Sequence, residues 1–361
     1  MADNDKLADI RTQIDALDEQ ILALVSQRAR LALEVARAKR AAGETSDFYR
    51  PEREAEVLRR VRELNPGPLG PEPVQRLFRE IMSACLALQQ PLKVAYFGPE
   101  GTFTHAAAMK HFGHGAQLSP LGSIDLVFRE VETGAANYGV VPVENSTEGV
   151  VSHTLDCFMT SPLQIVGEVE LPVVHNLAGL AASLGEIRRV YSHPQALGQC
   201  RVWLDTHLPQ AERIPVSSTA EAARLAAADT ATAAVASEAA AERYGVRILA
   251  AQIQDGSANT TRFLIIGRQS PPPTGEDKTS LVVSRTNQPG GLYRLLEPLA
   301  RHGVNMSRIE SRPSRQGIWE YVFFVDLLGH AQDAPVKQAL EEMQTQASLL
   351  KILGSYPRAA G

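Results

Sequence analysis

Cysteine is scarce in this sequence: Cys85, Cys157 and Cys200 are its 3 cysteines, odd in number and scattered along 361 residues. Such a set excludes the disulfide-stapled scaffold of a small secreted protein. Cations are not in excess either, with 36 lysines and arginines against 41 aspartates and glutamates and a formal net charge of −5. That balance excludes the basic footprint of a nucleic-acid-binding protein. No apolar run approaches the ~20 residues that cross a bilayer. The amino terminus, Met-Ala-Asp-Asn-Asp, lacks the cationic start and apolar stretch of a secretory signal. The expectation is a cytoplasmic protein whose partners are small molecules, with no nucleic acid and no membrane among them. Nucleotide-binding glycines are missing too, since Gly98-Pro99-Glu100-Gly101 has neither dinucleotide spacing nor the lysine of a phosphate-binding loop. Cys157, Cys200, His153 and His193 show no metal-ligand spacing. Neither metal nor cofactor is therefore expected.

What is present is a chain 44% hydrophobic and too long for one core. Two seams divide it. At Gln89-Gln90-Pro91 helical periodicity yields to the strand-like Lys93 to Phe97, and Pro271-Pro272-Pro273-Thr274-Gly275 reads as a stiff, exposed linker. The expected domains are residues 1–91, all-helical; 92–272, alternating strands and helices; and 276–361, a mixed α+β layer.

The first segment carries an apolar stripe at Leu7, Ile10, Ile14, Leu17, Ile21, Leu24, Leu31, Val35 and Ala38, in steps of three and four. This spacing predicts one long helix, and its length predicts pairing with a second copy, because shorter helices cannot cover the whole face. Arg28 interrupts the stripe, and Lys39 lies eleven residues further on. At ~100° per residue the two cations share a face to within ~20°, whereas Arg11 points ~100° away, toward a different surface such as a neighbouring subunit's pocket. A dianion lying between Arg28 and Lys39 accounts for both; an internal salt bridge, or an arginine stem packed on the seam with its head in water, accounts for Arg28 alone.

These residues, with Ala16-Leu17-Asp18, Glu34-Val35, Arg53-Glu54 and Gln89, resemble the all-helical chorismate mutases over about the first ninety positions. The resemblance implies that Arg28, and Arg11 from a partner chain, grip the two carboxylates of chorismate. It further implies that Lys39 and Gln89 donate to the ether oxygen as charge develops there, and that Glu54 holds a ring hydroxyl. Arg53 belongs to the same set. Arg50 stands where many such mutases carry aspartate, with Asp47 a possible substitute, and Cys85 where serine is common.

In the second segment unusual residues gather just after strands, at Gly98 to Thr102, Glu144-Asn145-Ser146 and Ser192-His193-Pro194-Gln195. Strand ends followed by helix N-termini are where α/β sheets bind anions, although each junction alone also reads as a capped turn. Together with Gln199-Cys200 and Asn259-Thr260-Thr261-Arg262-Phe263, these words resemble the prephenate dehydratase family. The implied fold is two α/β lobes across a cleft, akin to periplasmic solute-binding proteins. Thr261 is the implied donor to the departing hydroxyl, in a relay with Glu144 and His193, and Arg262 the implied carboxylate or structural partner. Asn145, Ser146, Ser192, Gln195, Asn259 and Phe263 complete the implied prephenate site.

The last segment orders its elements βαββαβ, which predicts a ferredoxin-like layer. Gln288-Pro289-Gly290-Gly291-Leu292, preceded by Asn287, and Glu310-Ser311-Arg312-Pro313 resemble the amino-acid-binding ACT domain. These residues imply a site for L-phenylalanine as effector. Joined, the three resemblances imply a cofactor-free, homodimeric or larger bifunctional enzyme that takes chorismate through prephenate to phenylpyruvate. A non-catalytic amino-acid-responsive binding protein is disfavoured by the Arg28 and Lys39 pair; preference for arogenate over prephenate stays open.

Overall fold

The computed structural model describes residues 2–43, 49–256, 259–286, 288–313 and 321–359. It forms two compact units: Met1–Arg50 with Glu56–Leu92 and Phe112–Gln117, and Pro51–Ala55 with Lys93–His111 and Leu118–Gly361. Asp47 and Asn287 lie outside the described residues.

Helix α1 (Ala2–Ala41) is the predicted long helix, followed by α2 (Pro51–Leu64) and α3 (Pro71–Gln89). Proline opens both shorter helices, where its missing N–H costs nothing and its fixed φ suits the first turn. In the first unit α1 packs on α3, with Ala36, Leu58 and Cys85 buried, and Gln75 Nε2 donates to the carbonyl of Leu58 at 3.1 Å. The apolar stripe of α1 stays open in the single chain: Ile14, Leu17, Ile21 and Leu24 are 50%, 55%, 57% and 64% exposed.

The second unit begins with β1 (Lys93–Phe97), α4 (Phe103–Phe112), β2 (Gln117–Leu121), α5 (Ile124–Glu132), β3 (Tyr138–Asn145), β4 (Gly149–Val150), α6 (Ser152–Thr160) and β5 (Gln164–Pro172). A second lobe is then inserted: β6 (Asn176–Gly179), β7 (Arg189–Ser192), α7 (Pro194–Gln199), α8 (Arg201–His207), β8 (Glu212–Pro215), α9 (Thr219–Ala226), β9 (Thr232–Ala236), α10 (Glu238–Tyr244) and β10 (Arg247–Ala250). The chain returns as β11 (Thr260–Gly267), antiparallel between β3 and β5. The first sheet thus runs β2-β1-β3-β11-β5 and the second β10-β6-β9-β7-β8, the two lobes joined by the chain between β5 and β6 and between β10 and β11.

β12 (Asp277–Ser284), α11 (Gly291–Arg301), β13 (Met306–Pro313), β14 (Tyr321–Leu328), α12 (Ala334–Gln346) and β15 (Leu349–Pro357) follow, in the predicted βαββαβ order. Their antiparallel sheet runs β13-β14-β12-β15. One face of it shares a core with the first lobe, where Val282, Phe324 and Tyr356 cluster with Val143, Phe158 and Ile165. The proline-rich seam is correspondingly less free than its composition predicts. Pro271 is buried and its carbonyl accepts from His330 Nε2 at 3.1 Å, while Pro272 and Pro273 are exposed. The strand expected from Trp319 is described from Tyr321 onward.

Candidate active sites

In the helical unit, α1 carries exposed Arg11 and half-buried Arg28 and Lys39, all on one continuous helix. Helix α3 carries buried Cys85 and ends on half-buried Gln89, whose carbonyl accepts from Arg40 Nη2 at 2.6 Å. That bond ties the end of α3 to the end of α1, the two places where Gln89 and Lys39 sit. Arg50 is the exposed residue preceding α2, and Arg53 and Glu54 fall in its first turn, exposed and half-buried respectively.

In the other unit a cleft of about 700 Å³ lies where the two lobes and their crossings meet. From the first lobe it receives Thr102, Phe103 and Asn145; from the second His193, Gln195 and Ser218; from the crossings and β11, His175, Asn259, Thr261 and Phe263. A chain of amides holds its floor. Asn145 Nδ2 donates to Thr261 Oγ1 at 2.8 Å and to Asn259 Oδ1 at 2.6 Å. Asn259 Nδ2 donates to Gln199 Oε1 at 3.0 Å, and the same oxygen meets His175 Nε2 at 2.9 Å. Asn145 is itself fixed, because its Oδ1 accepts from the N–H groups of Thr147 and Glu148 at 3.0 and 2.9 Å. Since Thr261 Oγ1 accepts from Asn145, its own hydrogen remains available to a ligand.

Helix N-termini of both lobes open on this cleft. Thr102 precedes α4 and its hydroxyl accepts from His105 N at 3.3 Å; Ser218 caps α9, accepting from Glu221 N at 3.0 Å. His193 caps the short α7. The tight turn ahead of α4 requires glycine at Gly101, where φ is +83° and a Cβ would meet Ala240 Cα at 3.3 Å. Among the described residues no lysine or arginine lines the cleft, and the one carboxylate there, Glu148, accepts from Gln199 Nε2 at 3.0 Å. Negative ligand charge would therefore be met by helix dipoles, hydroxyls and imidazoles. Burial pushes the His175 imidazole below its ordinary range, against a smaller opposing effect of its bond to Gln199, so it is neutral at pH 7. His175, Gln199 and Glu148 are absent from the expected site set. Gln199 belongs to a word that carries the family resemblance, while the one sequence signal of His175 and Glu148 is a position shortly after a strand.

Four expected site residues do not face the cleft. Arg262 lies on the opposite face of β11 from Thr261 and Phe263, as strand alternation requires. Its Nε, Nη1 and Nη2 donate to Glu168, Asp326 and Tyr356 at 2.8, 2.6 and 2.9 Å, so it is a structural partner and not a ligand group. Glu144 is turned to Arg308, with 2.7 Å between Oε2 and Nε. Ser192 is fully buried and donates to Val235 O at 2.6 Å. Ser146 Oγ accepts from Thr260 N at 3.0 Å, stitching the β3 turn to β11.

Away from the cleft, the i, i+4 pair His153 and Cys157 on α6 meets Asp125, with ligand atoms within 4.8 Å of one another. His153 Nε2 lies 2.6 Å from Asp125 Oδ2, and burial followed by Asp125 pushes the Cys157 thiol up to about 12. The cluster is accounted for by these internal bonds.

Comparison with known proteins agrees with this anatomy throughout. The family model for chorismate mutase type II matches residues 10–90, that for prephenate dehydratase 94–271 and that for the ACT domain 279–343. A bifunctional chorismate mutase/prephenate dehydratase of Stutzerimonas stutzeri is 55% identical over 99% of this chain and 100% of its own. The chain belongs to the bifunctional chorismate mutase/prephenate dehydratase family. Among solved structures, prephenate dehydratase from Arthrobacter aurescens in complex with L-Phe shares 38% identity at TM-score 0.69, over 74% of this chain and 90% of that one. The quorum-quenching acylase GqqA shares 33% identity at TM-score 0.67, over 74% of this chain and 98% of that one.

Within the ACT domain of this family member, Gly290 takes φ +71° immediately before α11, Gly291 begins the helix buried, and Leu292 is 39% exposed. Glu310, Ser311 and Arg312 lie on β13, an edge strand. Arg312 is committed elsewhere, to Asp156 of the dehydratase at 3.1 Å, and so is not a free effector ligand.

Proposed function

We propose that residues 1–91 rearrange chorismate, that residues 92–272 convert the resulting prephenate, and that residues 276–361 regulate the second step. The two activities are those of the family; the residue roles are the proposal. In the mutase, Arg28 and the partner copy's equivalent of Arg11 hold the substrate carboxylates, with guanidinium forks suited to the task. Lys39 and Gln89 donate to the ether oxygen as it gains charge. No nucleophile is required, because the rearrangement is internal and needs only a held conformer and preorganised donors. The open stripe on α1 supports a homodimer, since so many exposed leucines and isoleucines in register are costly in water. Three free thiols support a cytoplasmic location.

In the dehydratase, prephenate plus a proton becomes phenylpyruvate, carbon dioxide and water. One carboxylate leaves as carbon dioxide, its bonding pair enters the ring, and hydroxide departs from the far carbon as the ring becomes aromatic. The observation that carries the assignment is Thr261, whose hydroxyl is fixed from behind by Asn145 and retains a hydrogen for the departing oxygen. Threonine is a weak acid, so it acts by stabilising that oxygen, with the proton drawn ultimately from water. The N-termini of α4 and α9 receive the carboxylates. That the Stutzerimonas relative is a prephenate dehydratase supports prephenate over arogenate as substrate.

L-Phenylalanine, the ligand of the Arthrobacter relative's complex, is the proposed effector; its proposed place, beside Gly290 and Gly291 against β13, rests on the helix N-terminus that follows Gly290. The catalytic proposal is tested on purified chain supplied with prephenate. Thr261→Ala should leave prephenate unconsumed and Thr261→Ser should retain part of the activity; equal rates in both variants would remove the hydroxyl from the mechanism.

A further inference from the structure

Strand β13 of the ACT domain reaches the dehydratase through one face. Arg308, Glu310 and Arg312 alternate as its half-buried residues, with Ser307, Ile309, Ser311 and Pro313 exposed on the other. From that inward face Arg308 Nε meets Glu144 Oε2 at 2.7 Å, the two side chains 13% and 35% exposed. Glu144 is the residue before Asn145, and in the β3–β11 ladder Glu144 stands opposite Arg262 while Asn145 stands opposite Thr261. The side chain that fixes the Thr261 hydroxyl is thus one peptide unit from a carboxylate held by the ACT sheet.

Of the contacts between the ACT sheet and the dehydratase, those of Arg262 and Arg308 flank Thr261 and Asn145, and they differ in character. Arg262 has a partner for each of its three nitrogens, on Glu168, Asp326 and Tyr356, and Lys278 joins Glu168 at 2.8 Å. That network is satisfied and rigid. Arg308 pairs in register with Asp326 across β13 and β14, at an irregularity between Met306 and Arg308, yet its Nη2 is buried with no hydrogen-bond partner among the described residues. A buried guanidinium with an unsatisfied nitrogen is held less firmly than one with a full set. Arg308 is therefore the contact whose geometry a small shift of β13 alters at least cost.

We propose that Arg308 is a positioning residue for dehydration, acting through Glu144 to set Asn145 and hence Thr261, and that it is the link by which occupancy of the outer face of β13 reaches the cleft. The inference rests on the assignment of Thr261 above and names the regulation of that site. A ligand on the exposed side of β13 need only displace Arg308 for the donor at Thr261 to move out of line, and misplacement by about 1 Å costs about a hundredfold in rate.

The test uses the full chain and four variants: Arg308→Gln, Arg308→Lys, Glu144→Gln and the Arg308→Gln/Glu144→Gln double. Prephenate turnover, chorismate turnover and thermal midpoint are measured for each, and prephenate turnover is repeated with phenylalanine. The expectation is a fall of about tenfold in kcat for either glutamine variant, with KM within about twofold, chorismate turnover unchanged and the double no worse than the worse single. Arg308→Lys should recover part of the loss, and phenylalanine should inhibit Arg308→Gln less than the parent. A parent kcat in Arg308→Gln, or losses that multiply in the double, would overturn the inference. So would a loss explained by a lowered melting point alone. A parent chain unable to consume prephenate would instead sink the catalytic assignment on which the inference rests.

Discussion

Asn145 donates to the hydroxyl of Thr261 at 2.8 Å, from a side chain whose oxygen is occupied by two backbone N–H groups of its own turn. The amide cannot flip without losing those bonds, so Thr261 always meets a donor on that side, and its own hydrogen is directed elsewhere. Asn145→Ala should therefore lower kcat for prephenate by about a hundredfold with a much smaller change in KM, since the loss is one of alignment. Asn145→Asp should be at least as damaging, because a carboxylate would claim the threonine's hydrogen. Steady-state kinetics on prephenate, with chorismate turnover as the control, checks both.

Arg262 shows where a sequence is more informative than its motif. Reading Asn259 to Phe263 as one word leaves Arg262 open between a carboxylate partner and a structural one, yet a strand turns successive side chains to opposite faces. Thr261 and Phe263 facing the cleft requires Arg262 to face away, and there it meets Glu168, Asp326 and Tyr356. Local periodicity was enough for the long α1, the βαββαβ order of the ACT domain and the strand-end words of the cleft. The partners of Arg262 were not legible, because residues 168, 326 and 356 share no element with residue 262 and only packing of the ACT sheet on the first lobe unites them. His175 is illegible in the sequence for a related reason: a lone histidine in a crossing gains meaning only when Gln199 and Phe103 close around it.

Lys39 and Gln89 lie at the ends of α1 and α3, which Arg40 ties together through the Gln89 carbonyl at 2.6 Å, and both are proposed to serve the mutase alone. Lys39→Ala should cost the mutase about 2.7 to 4 kcal/mol of transition-state stabilisation, a hundredfold or more in rate. Prephenate turnover by the same preparation should be unchanged. Equal loss of both activities would indicate a shared site.

Removing the ACT domain by ending the chain near Pro273 should do more than abolish control. Arg262 would lose Asp326 and Tyr356, Glu168 would lose Lys278, and Phe158 and Ile165 would lose the apolar cover of Val282 and Phe324. Breaking a buried ion network by removing one side typically costs about 3 to 5 kcal/mol. The truncated chain should therefore show a lowered melting transition and little prephenate turnover while retaining chorismate turnover.

Acid should weaken the dehydratase unit before its carboxylates titrate. Burial holds His105 and His175 below the ordinary value of 6.5, so as pH falls the unfolded chain takes up protons that the folded chain refuses. Their stabilising effect is complete above 6.5 and is lost as pH drops below it, down to their depressed folded values. Asp326, held below 3.8 by Arg262 and a hydrogen bond from Ser280 in spite of its burial, adds a further loss only in stronger acid. Melting curves at about pH 7.5 and 5.5 should show the lower midpoint at the lower pH. An unchanged or raised midpoint would contradict the burial of two neutral imidazoles.

The most direct test of the account as a whole is to incubate the purified chain with chorismate alone, without metal or nucleotide, and identify the products by mass. The account predicts phenylpyruvate, with prephenate accumulating in its place when Thr261 is replaced by alanine. Chorismate recovered unchanged from the parent chain, or prephenate as its final product, would contradict it.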